Sequence, residues 1–327
     1  MNVYDYLLDS KKIIPTAFNS KKICFLDIET TGLNRQYSSI YLIGLLYFNE
    51  DKKTWCLRQY FANHIKEEEE LLKGFNLFIK KFNLIITYNG DNFDIPFINY
   101  RMKKYNINNN IARLESLDLY KKIKEESSFL NLNNYKLKSI EQFLGIHRKD
   151  EYSGKDCISF YYQYIKNGNK ILKDRILKHN FDDLYYLGDI IRIFDHLNNI
   201  KSFTISINSK DKKVCIKDIV INGDIIKVFC HISNADKNVN IIYYDNGFNL
   251  DWKSDSIVID LEAREGLVTP TRKALFIDKK NFPSKINGLK DLSDYMVPNN
   301  IILIKVGNKY IIENIKNLIK ELIFYVI

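Results

Sequence analysis

The sequence predicts an α/β fold, in which a mixed sheet is flanked by helices and is followed by a smaller β-rich part that ends in a helix. Two observations support this prediction. Three strand-like runs with short connections precede a helix, another short strand and several helices, without the strict strand–helix alternation of a doubly wound sheet. Near residue 200 the pattern changes to short β-prone runs separated by turn signals such as Asn-Gly-Asp and Asp-Asn-Gly. We therefore expect one domain over residues 1–199, with its core at about 20–198, and a second domain over residues 200–327.

Each predicted element follows from local patterning. Short apolar or alternating runs predict strands, and the first helix has apolar residues at helical spacing, acids in its first turn and lysines in its last. The first domain has predicted strands at 21–29, 39–48, 54–61 and 84–87 and predicted helices at 66–82, 95–105, 135–144, 157–166 and 179–197. The second domain has predicted strands at 201–207, 213–221, 225–232, 240–244 and 256–261 and a closing helix at 313–326.

Composition excludes several classes of protein. With 46% apolar and 13% aromatic residues among 327, the chain has enough material for a packed core, which excludes disorder and fibrous repeats. The five cysteines contain no Cys-x-x-Cys pair, which argues against zinc ribbons, iron–sulfur clusters and a disulfide framework. The apolar runs are shorter than the roughly 18–20 residues of a membrane span, and the first residues do not resemble a secretory signal. We expect a cytoplasmic protein without a membrane partner, and its net charge of +9 permits a polyanionic one.

Two clusters of acids follow predicted strands. Asp27 and Glu29 are two residues apart on the first strand, so both carboxylates lie on the same face. Asp94 comes after the strand at 84–87 and opens the next helix. Taken singly, each cluster has a structural explanation: a solvated pair at a strand end for the first two acids, and an N-cap followed by a first-turn proline for Asp94.

A third cluster places an imidazole beside an acid. In the predicted helix at 179–197, His179 and Asp183 are i and i+4 and share a face, whereas Asp182 points about 100° away as a first-turn charge. Together the three clusters supply four acids and an imidazole, and such an oxygen-rich set suits two Mg²⁺ or Mn²⁺ ions. Two such ions can activate a water and stabilise the leaving 3′ oxygen of a phosphodiester, while a histidine accepts the proton.

Three segments resemble the motifs of DEDD-type 3′→5′ exonucleases, which have a ribonuclease H-like fold. They are FLDIETTGL at 25–33, TYNGDNFDIPFI at 87–98 and HNFDD at 179–183. The sequence between them is similar to the YprB-like ribonuclease H-like domain family, and the resemblance covers approximately residues 20–198. Motif type, order and spacing all agree with that family.

The resemblance implies roles for individual residues. Its metal-binding acids correspond to Asp27, Glu29, Asp94 and Asp183, and its general base corresponds to His179. Three residues separate His179 from Asp183 where histidine-bearing exonucleases usually have four, so Tyr185 or Tyr186 stays an alternative proton acceptor. Asn89 and Phe93 match the second motif, and Thr30 and Leu33 match positions that approach the terminal nucleotide.

Basic side chains between the second and third motifs are candidates for phosphate contacts, because single-stranded nucleic acid is held in basic grooves with aromatic stacking platforms. They are Arg101, Lys103, Lys104, Lys136, Lys138, Arg148, Lys149 and Lys155. We expect only two or three of them to contact substrate, with Arg101 and Lys136 as the named candidates. Asp118 opens a helix and is predicted to cap it rather than to act as a fifth acid.

The sequence therefore predicts a two-metal-ion 3′→5′ exonuclease that hydrolyses phosphodiester bonds of single-stranded DNA or RNA. Two alternatives stay open: a structure-selective endonuclease on the same fold, and a non-catalytic nucleic-acid-binding or scaffold module. Residues 200–327 show no catalytic constellation, and no role or protein partner is predicted for them.

Overall fold

The structure is a computed structural model that describes residues 1–9, 21–148, 151–235, 238–283 and 288–327. Lys149, one of the basic candidates, lies outside the described residues. The chain forms two compact units: the first contains Met1–Glu125 and Leu132–Phe194, and the second contains Glu126–Asn131 and Asp195–Ile327. The division into domains at residues 199 and 200 stays a prediction.

The first unit is built on a six-stranded mixed sheet. Its strands are β1 (Asn2–Leu8), β2 (Ile23–Thr30), β3 (Ile40–Asn49), β4 (Thr54–Phe61), β5 (Leu84–Thr87) and β6 (Glu115–Asp118). They lie in the order β1-β4-β3-β2-β5-β6, and β2, β5 and β6 are parallel while the other neighbours are antiparallel. The central strands β2 and β3 are buried along most of their length, which explains their near-continuous apolar runs.

Helices cover this sheet. They are α1 (Glu68–Phe78), α2 (Asp94–Lys104), α3 (Leu119–Glu125), α4 (Leu137–Phe143), α5 (Gly154–Asn167) and α6 (Lys170–Ile190), followed by α7 (Ile193–Ile200). α1 packs on β3 and β4, and α6 packs on β2, β3 and β4. In the core, the ring of Tyr41 on β3 stacks on that of Tyr161 on α5 with centroids 4.0 Å apart.

The last predicted helix of this unit is wrong in its bounds. α6 begins at Lys170 rather than at His179, and the chain forms a separate helix from Ile193. Two adjacent residues determine where α6 begins. Gly168 ends α5 in the left-handed conformation at φ 65°, and the side chain of Asn169 caps α6 by accepting a hydrogen bond from Ile171 N. His179 therefore lies in the middle of a long helix. The strands β1 and β6 were not predicted, and only the beginning of the helix α3, at Asp118, was.

The described residues of the second unit form two antiparallel sheets, most of α7 and a closing helix. The larger sheet has the order β10-β11-β12-β9-β8-β7, with β7 (Ser202–Ile207), β8 (Lys210–Asn222), β9 (Ile225–Ile232), β10 (Asn240–Asp245), β11 (Phe248–Lys253) and β12 (Ser256–Glu262). The smaller has the order β13-β14-β15-β16, with β13 (Arg264–Thr269), β14 (Arg272–Asp278), β15 (Ile301–Val306) and β16 (Lys309–Tyr310). Both predicted glycine turns, at 222–224 and 245–247, connect neighbouring antiparallel strands.

The closing helix α8 (Ile312–Val326) is amphipathic and packs into the core of the second unit. Its buried apolar residues recur at the spacing of a single helix face, namely Ile315, Leu318, Ile319, Leu322 and Ile323. The predicted fold class, a helix-flanked mixed sheet followed by a β-rich part that ends in a helix, is confirmed. No helix among the described residues is long and apolar enough to cross a membrane.

Candidate active site

Strand β2 carries the first two acids into the interior of the first unit. Asp27 pairs with Gly44 and Glu29 with Leu42 of β3, and Glu29 is only 8% exposed. Because the two residues are i and i+2 on a strand, their carboxylates lie on one face, as predicted. The hydroxyl of Tyr41 donates to Oε2 of Glu29 at 3.5 Å.

The third acid is attached to the same strand. Asp94 is the first residue of α2, is 6% exposed, and accepts a hydrogen bond at Oδ1 from the backbone N–H of Ile28 at 3.1 Å. The alternative explanation of Asp94 as an N-cap does not hold, because Phe93 occupies the cap position and no side chain caps this helix. The bond to Ile28 instead fixes Asp94 beside the strand segment that carries Asp27 and Glu29.

Helix α6 brings the imidazole and the fourth acid to this cluster. His179 Nε2 lies 3.5 Å from Glu29 Oε1 and 3.5 Å from Asp183 Oδ2. Asp182 points away and pairs with Lys178 at 2.6 Å in a solvent-exposed ion pair. The structure thus separates the two neighbouring aspartates as predicted, although Asp182 is not a first-turn residue.

A series of hydrogen bonds between buried polar side chains, which sequence reasoning missed, holds α6 against the sheet. Asn180 is fully buried and donates from Nδ2 to Asp27 Oδ2 at 2.7 Å, while its Oδ1 accepts from Gln59 Nε2 at 2.8 Å. Gln59 Nε2 also donates to the carbonyl of Leu177 at 2.8 Å. A Cβ at Gly44 would lie 2.2 Å from Asn180 Oδ1, so the helix can approach β3 only at a glycine. The fully buried Gln59 carried no local signal, because its neighbour Arg58 on β4 is also polar.

Arg148 supplies a positive charge at the edge of the cluster. Its Nη1 lies 2.6 Å from Asp183 Oδ1, and its Nε donates to Oε2 of Glu141 at 3.0 Å. Both Arg148 and Glu141 are largely buried, with side chains 8% and 1% exposed. The sequence placed Arg148 among candidate phosphate contacts, whereas the structure shows it bound to one of the four acids.

The carboxylates strongly perturb one another. Burial raises the pKa of Asp27 well above its ordinary value, and the charges of Asp94, Asp183 and Glu29 raise it further. Burial also raises the pKa of Glu29, with Asp183 and Asp94 adding to the effect. Burial raises the pKa of Asp94 to about 7. The cluster therefore holds more negative charge than its surroundings neutralise.

This donor set fits a hard divalent cation. The four acids offer only carboxylate oxygens, and a bound cation relieves the repulsion that raises the pKa values of Asp27 and Glu29. Among the described residues, a donor set of another kind is also close: a Glu29 oxygen, Cys157 Sγ and a His179 nitrogen lie within 4.8 Å of one another.

An open cleft of about 670 Å³ lies over the acids. All four acids and His179 line it, together with Asn89, Phe93 and Lys136 of the predicted substrate contacts. Its other lining residues are Ile28, Tyr88, Leu137, Lys138, Arg148, Glu151, Tyr152, Ser153 and Gly154. The exposed Lys136 forms no ion pair with any described residue, so its ammonium group is available to a ligand.

The predicted substrate contact is wrong for Arg101. Its side chain is 2% exposed and forms a buried ion pair with Glu68, donating from Nε to Oε1 at 2.7 Å. Glu68 also accepts from the backbone N–H of Ile40 at 2.8 Å and from the hydroxyl of Tyr105 at 2.9 Å. Arg101 therefore ties α2 to α1 and the beginning of β3, and it is absent from the lining of the cleft.

Thr30 and Leu33 do not line this cleft either. Thr30 is 5% exposed, and its hydroxyl donates to the carbonyl of Gly32 at 2.8 Å, which supports the turn after β2. Leu33 is 83% exposed and lines a neighbouring depression, which it shares with Phe93. A contact between either residue and a nucleotide stays a prediction.

Asp118 caps α3 as predicted, accepting from Lys121 N at 3.3 Å. It also accepts from the backbone N–H groups of Asn89 at 2.8 Å and Asp91 at 3.2 Å. These bonds hold the loop after β5, in which Asn89 adopts a left-handed φ of 62°. Asp118 thus supports the second motif without belonging to the acidic cluster.

The mixed sheet and the buried acids at its centre define the class of protein to which the first unit belongs. The profile of the RNase_H superfamily matches residues 24–195, which is more than half of the chain. The chain belongs to the RNase_H superfamily. The predicted ribonuclease H-like domain is therefore confirmed, and membership of this superfamily supports a nuclease-type function.

Individual relatives are similar to smaller parts of the chain. A DNA polymerase of Methanocaldococcus jannaschii is 43% identical over 49 residues, which make up 15% of this chain and 3% of that protein. The family B DNA polymerase of Pyrobaculum calidifontis has a TM-score of 0.43 at 14% identity, over 54% of this chain and 25% of that one. The zinc-bound E. coli ExoI–ssDNA complex has a TM-score of 0.34 at 12% identity, over 66% of this chain and 56% of that one. The chain spans less than two thirds of each protein, and at these TM-scores neither structure carries an inference about function.

Proposed function

We propose that the first unit is a two-metal-ion 3′→5′ exonuclease that acts on single-stranded DNA or RNA. One observation carries the proposal: four carboxylates from β2, α2 and α6 converge on one imidazole in a cleft. Burial raises the pKa values of Asp27, Glu29 and Asp94, and the charges of neighbouring carboxylates raise those of Asp27 and Glu29 further. A purely structural cluster has no reason to keep such a repulsion, since it lowers stability when the acids ionise.

Asp27, Glu29, Asp94 and Asp183 would hold Mg²⁺ or Mn²⁺. When bound, the ions supply Lewis-acid chemistry and a water of lowered pKa. Asn180 and the backbone N–H of Ile28 orient the carboxylates of Asp27 and Asp94 through their hydrogen bonds. This fixed geometry lowers the reorganisation that the protein needs during reaction.

His179 is the proposed proton acceptor. Its Nε2 faces the acids, 3.5 Å from both Glu29 and Asp183, and a neutral imidazole can take the proton of an attacking water close to neutral pH. Of the alternative acceptors, Tyr186 lies under the guanidinium of Arg148 at 5.5 Å and Tyr185 stacks on Phe181 at 6.1 Å. Both tyrosine rings therefore have structural partners, which favours His179.

The walls of the cleft suit a single strand. Lys136 lines the cleft and offers an ammonium group to a phosphate, and Phe93, Tyr88 and Tyr152 provide aromatic rings on which bases can stack. The preference for single strands and the 3′→5′ direction follow from the resemblance of the motifs and need a direct test.

The test is hydrolysis of 3′-labelled and 5′-labelled DNA and RNA oligonucleotides, single-stranded and duplex, with Mg²⁺, with Mn²⁺ and with chelator. We expect mononucleotides released from the 3′ end only when a divalent ion is present. Asp27→Asn and Asp183→Asn should each lower the rate at least about 1,000-fold, because each removes a metal-binding oxygen.

Asp182→Asn is the matched control. It removes the carboxylate of the residue adjacent to Asp183, and this carboxylate pairs with Lys178 outside the cluster. It should keep the parent rate. Cleavage of a circular substrate would favour an endonuclease instead. Equal activity of the parent and Asp27→Asn, or binding without turnover in either ion, would contradict the proposal.

A further inference from the structure

The acidic cluster has a neighbour that the proposed reaction does not use. Cys157 is fully buried near the beginning of α5, and its thiol lies within 4.8 Å of donor atoms of both Glu29 and His179. The three side chains come from α5, β2 and α6, and thus from three elements of one unit. A cysteine therefore adjoins an imidazole and a carboxylate that line the cleft.

The position of Cys157 is well fixed. Ser153 and Asp156 form a reciprocal capping box at the beginning of α5, and Cys157 N donates to the carbonyl of Ser153 at 3.0 Å. A Cβ at Gly154 would lie 4.0 Å from His179 Nε2, so the first turn of α5 faces the imidazole. The thiol is therefore held on the same side of α5 as the cluster.

The chemistry of these donors differs from that of the four acids. Thiolate sulfur, imidazole nitrogen and one carboxylate oxygen suit Zn²⁺, whereas Mg²⁺ prefers oxygen alone. A tetrahedral zinc ion holds its donors roughly 3–4 Å apart. His179 Nε2 and Glu29 Oε1 are already 3.5 Å apart, so small side-chain rotations complete the set.

We propose that Glu29, Cys157 and His179 form a Zn²⁺ site that shares two residues with the nuclease site and inhibits it when occupied. Zn²⁺ reaches the site from the cleft, where the side chains of Glu29 and His179 are 10% and 15% exposed. On binding, the thiol of Cys157 loses its proton to solvent and its sulfur forms the bond to zinc. Water fills the fourth position, and Glu29 and His179 are withdrawn from the hydrolytic arrangement.

The binding experiment does not depend on activity. The full-length protein, freed of metal, is titrated with Co²⁺ to detect a sulfur-to-cobalt charge-transfer band in the near-ultraviolet, and Zn²⁺ affinity is measured by competition with a chromophoric chelator. We expect the band in the parent protein and its loss in Cys157→Ala, with Zn²⁺ affinity lowered at least tenfold. Cys24→Ala, which removes another buried thiol of the same unit, should keep both.

Because Cys157 is buried in the core, thermal unfolding is recorded for each variant, and Cys157→Ser provides a replacement of similar volume. A parent protein without the charge-transfer band, or equal Zn²⁺ affinity of folded Cys157→Ser and parent, would overturn the proposal.

The inhibitory part rests on the proposed nuclease function. Each variant is assayed with Mg²⁺ and increasing Zn²⁺, and its rate is expressed relative to its own rate without Zn²⁺. We expect the half-inhibitory Zn²⁺ concentration to rise at least tenfold in the Cys157 variants. A protein that binds Zn²⁺ through Cys157 but hydrolyses nothing would contradict only the proposed function, whereas equal inhibition of parent and variants would contradict the inhibitory site.

Discussion

At the scale of single residues, Arg148 places a positive charge in direct contact with the acidic cluster. Its guanidinium is 2.6 Å from Asp183 and is held by the buried Glu141. If Asp183 binds metal as proposed, a positive charge so close to it would compete with a divalent cation for the same oxygen. Arg148 would then limit the affinity of the cluster for metal while it keeps Asp183 in place.

Replacing Arg148 should therefore tighten metal binding in the absence of nucleic acid. Arg148→Gln removes the competing charge, and we expect the affinity for Mn²⁺ to rise at least about fivefold by calorimetry. Lys136→Gln is the matched control, because it removes one positive charge from the wall of the same cleft without breaking an ion pair. Weaker Mn²⁺ binding by Arg148→Gln would instead make Arg148 a positioning residue for Asp183.

Arg101 and Lys136 were both predicted to contact phosphates. From the structure, we expect replacement of Arg101 to lower stability and replacement of Lys136 to weaken binding of nucleic acid. Arg101→Met leaves Glu68 buried without its cation, so we expect the free energy of unfolding to fall by about 3–5 kcal/mol. Lys136→Gln should change stability by less than about 0.5 kcal/mol. It should also lower the slope of log affinity for single strands against log salt by about 0.7, which is the contribution of one phosphate contact. Denaturant unfolding and binding at several salt concentrations measure the two effects.

The difference between these residues marks the limit of sequence reasoning at this scale. Periodicity correctly predicted that Asp27 shares a strand face with Glu29 and that His179 shares a helix face with Asp183. The metal-binding role of the four acids follows from the resemblance of the motifs and stays a proposal. The burial of Arg101 depends on Glu68 of another helix, more than thirty residues earlier, and no local pattern contains that information.

At the scale of elements, the approach of α6 to β3 decides the position of His179 and Asp183. Gly44→Ala would push a Cβ to 2.2 Å from Asn180 Oδ1 and 2.4 Å from Leu184 Cδ1. We expect a loss of stability of about 1–3 kcal/mol and a lower rate of hydrolysis, since α6 must move away from the sheet. Thermal unfolding and the oligonucleotide assay measure these effects.

Gly74→Ala is the control for the glycine replacement itself. In α1 its Cβ would lie 3.3 Å from the ring edge of Tyr60 and 3.5 Å from Met1 Cε, and the gain in helix propensity of about 1 kcal/mol offsets these contacts. We expect a net change below about 1 kcal/mol and an unchanged rate. Equal effects of the two replacements would contradict the close packing of α6 on β3.

Elements were predictable where local signals were complete. The predicted bounds of β4, β5 and β9 agree with the structure, because turn residues or polar flanks border each apolar run. The beginning of α6 was misjudged although the signal was present, because Leu172, Ile176 and Leu177 recur there at helical spacing and are buried. β1 was missed, because its residues alternate between half-buried and exposed as the edge strand of the sheet.

At the scale of the whole molecule, the second unit is not the one continuous stretch of the chain that a single predicted boundary implies. Residues 126–131, from the connection between α3 and α4, belong to it as well. There Lys309 Nζ donates to the carbonyl of Ser127 at 3.1 Å, and Lys201 Nζ donates to Glu126 Oε2 at 3.0 Å. The chain therefore enters the second unit at residues 126–131 and returns to the first. Neither composition nor periodicity marks this excursion, so the sequence indicated a single boundary.

The stability of the metal-free protein should fall as pH rises, which is a property of the whole fold. The pKa of Asp94 is raised from 3.8 to about 7, and those of Asp27 and Glu29 are also raised. Between about pH 4 and pH 7 the folded state therefore holds more protons than the unfolded state, and the free energy of unfolding decreases with increasing pH. Bound cations favour the ionised carboxylates and oppose this loss of stability.

In chelator, we expect Tm to fall by several degrees from about pH 5 to pH 8, and Mn²⁺ should raise Tm more at the higher pH. Asp94→Asn should flatten the profile in chelator, because it removes one of the titrating groups, whereas Asp182→Asn should leave it unchanged. A metal-free Tm that rises over this range would mean that the acids are neutralised by the protein itself, and the cluster would then have no electrostatic need for a metal.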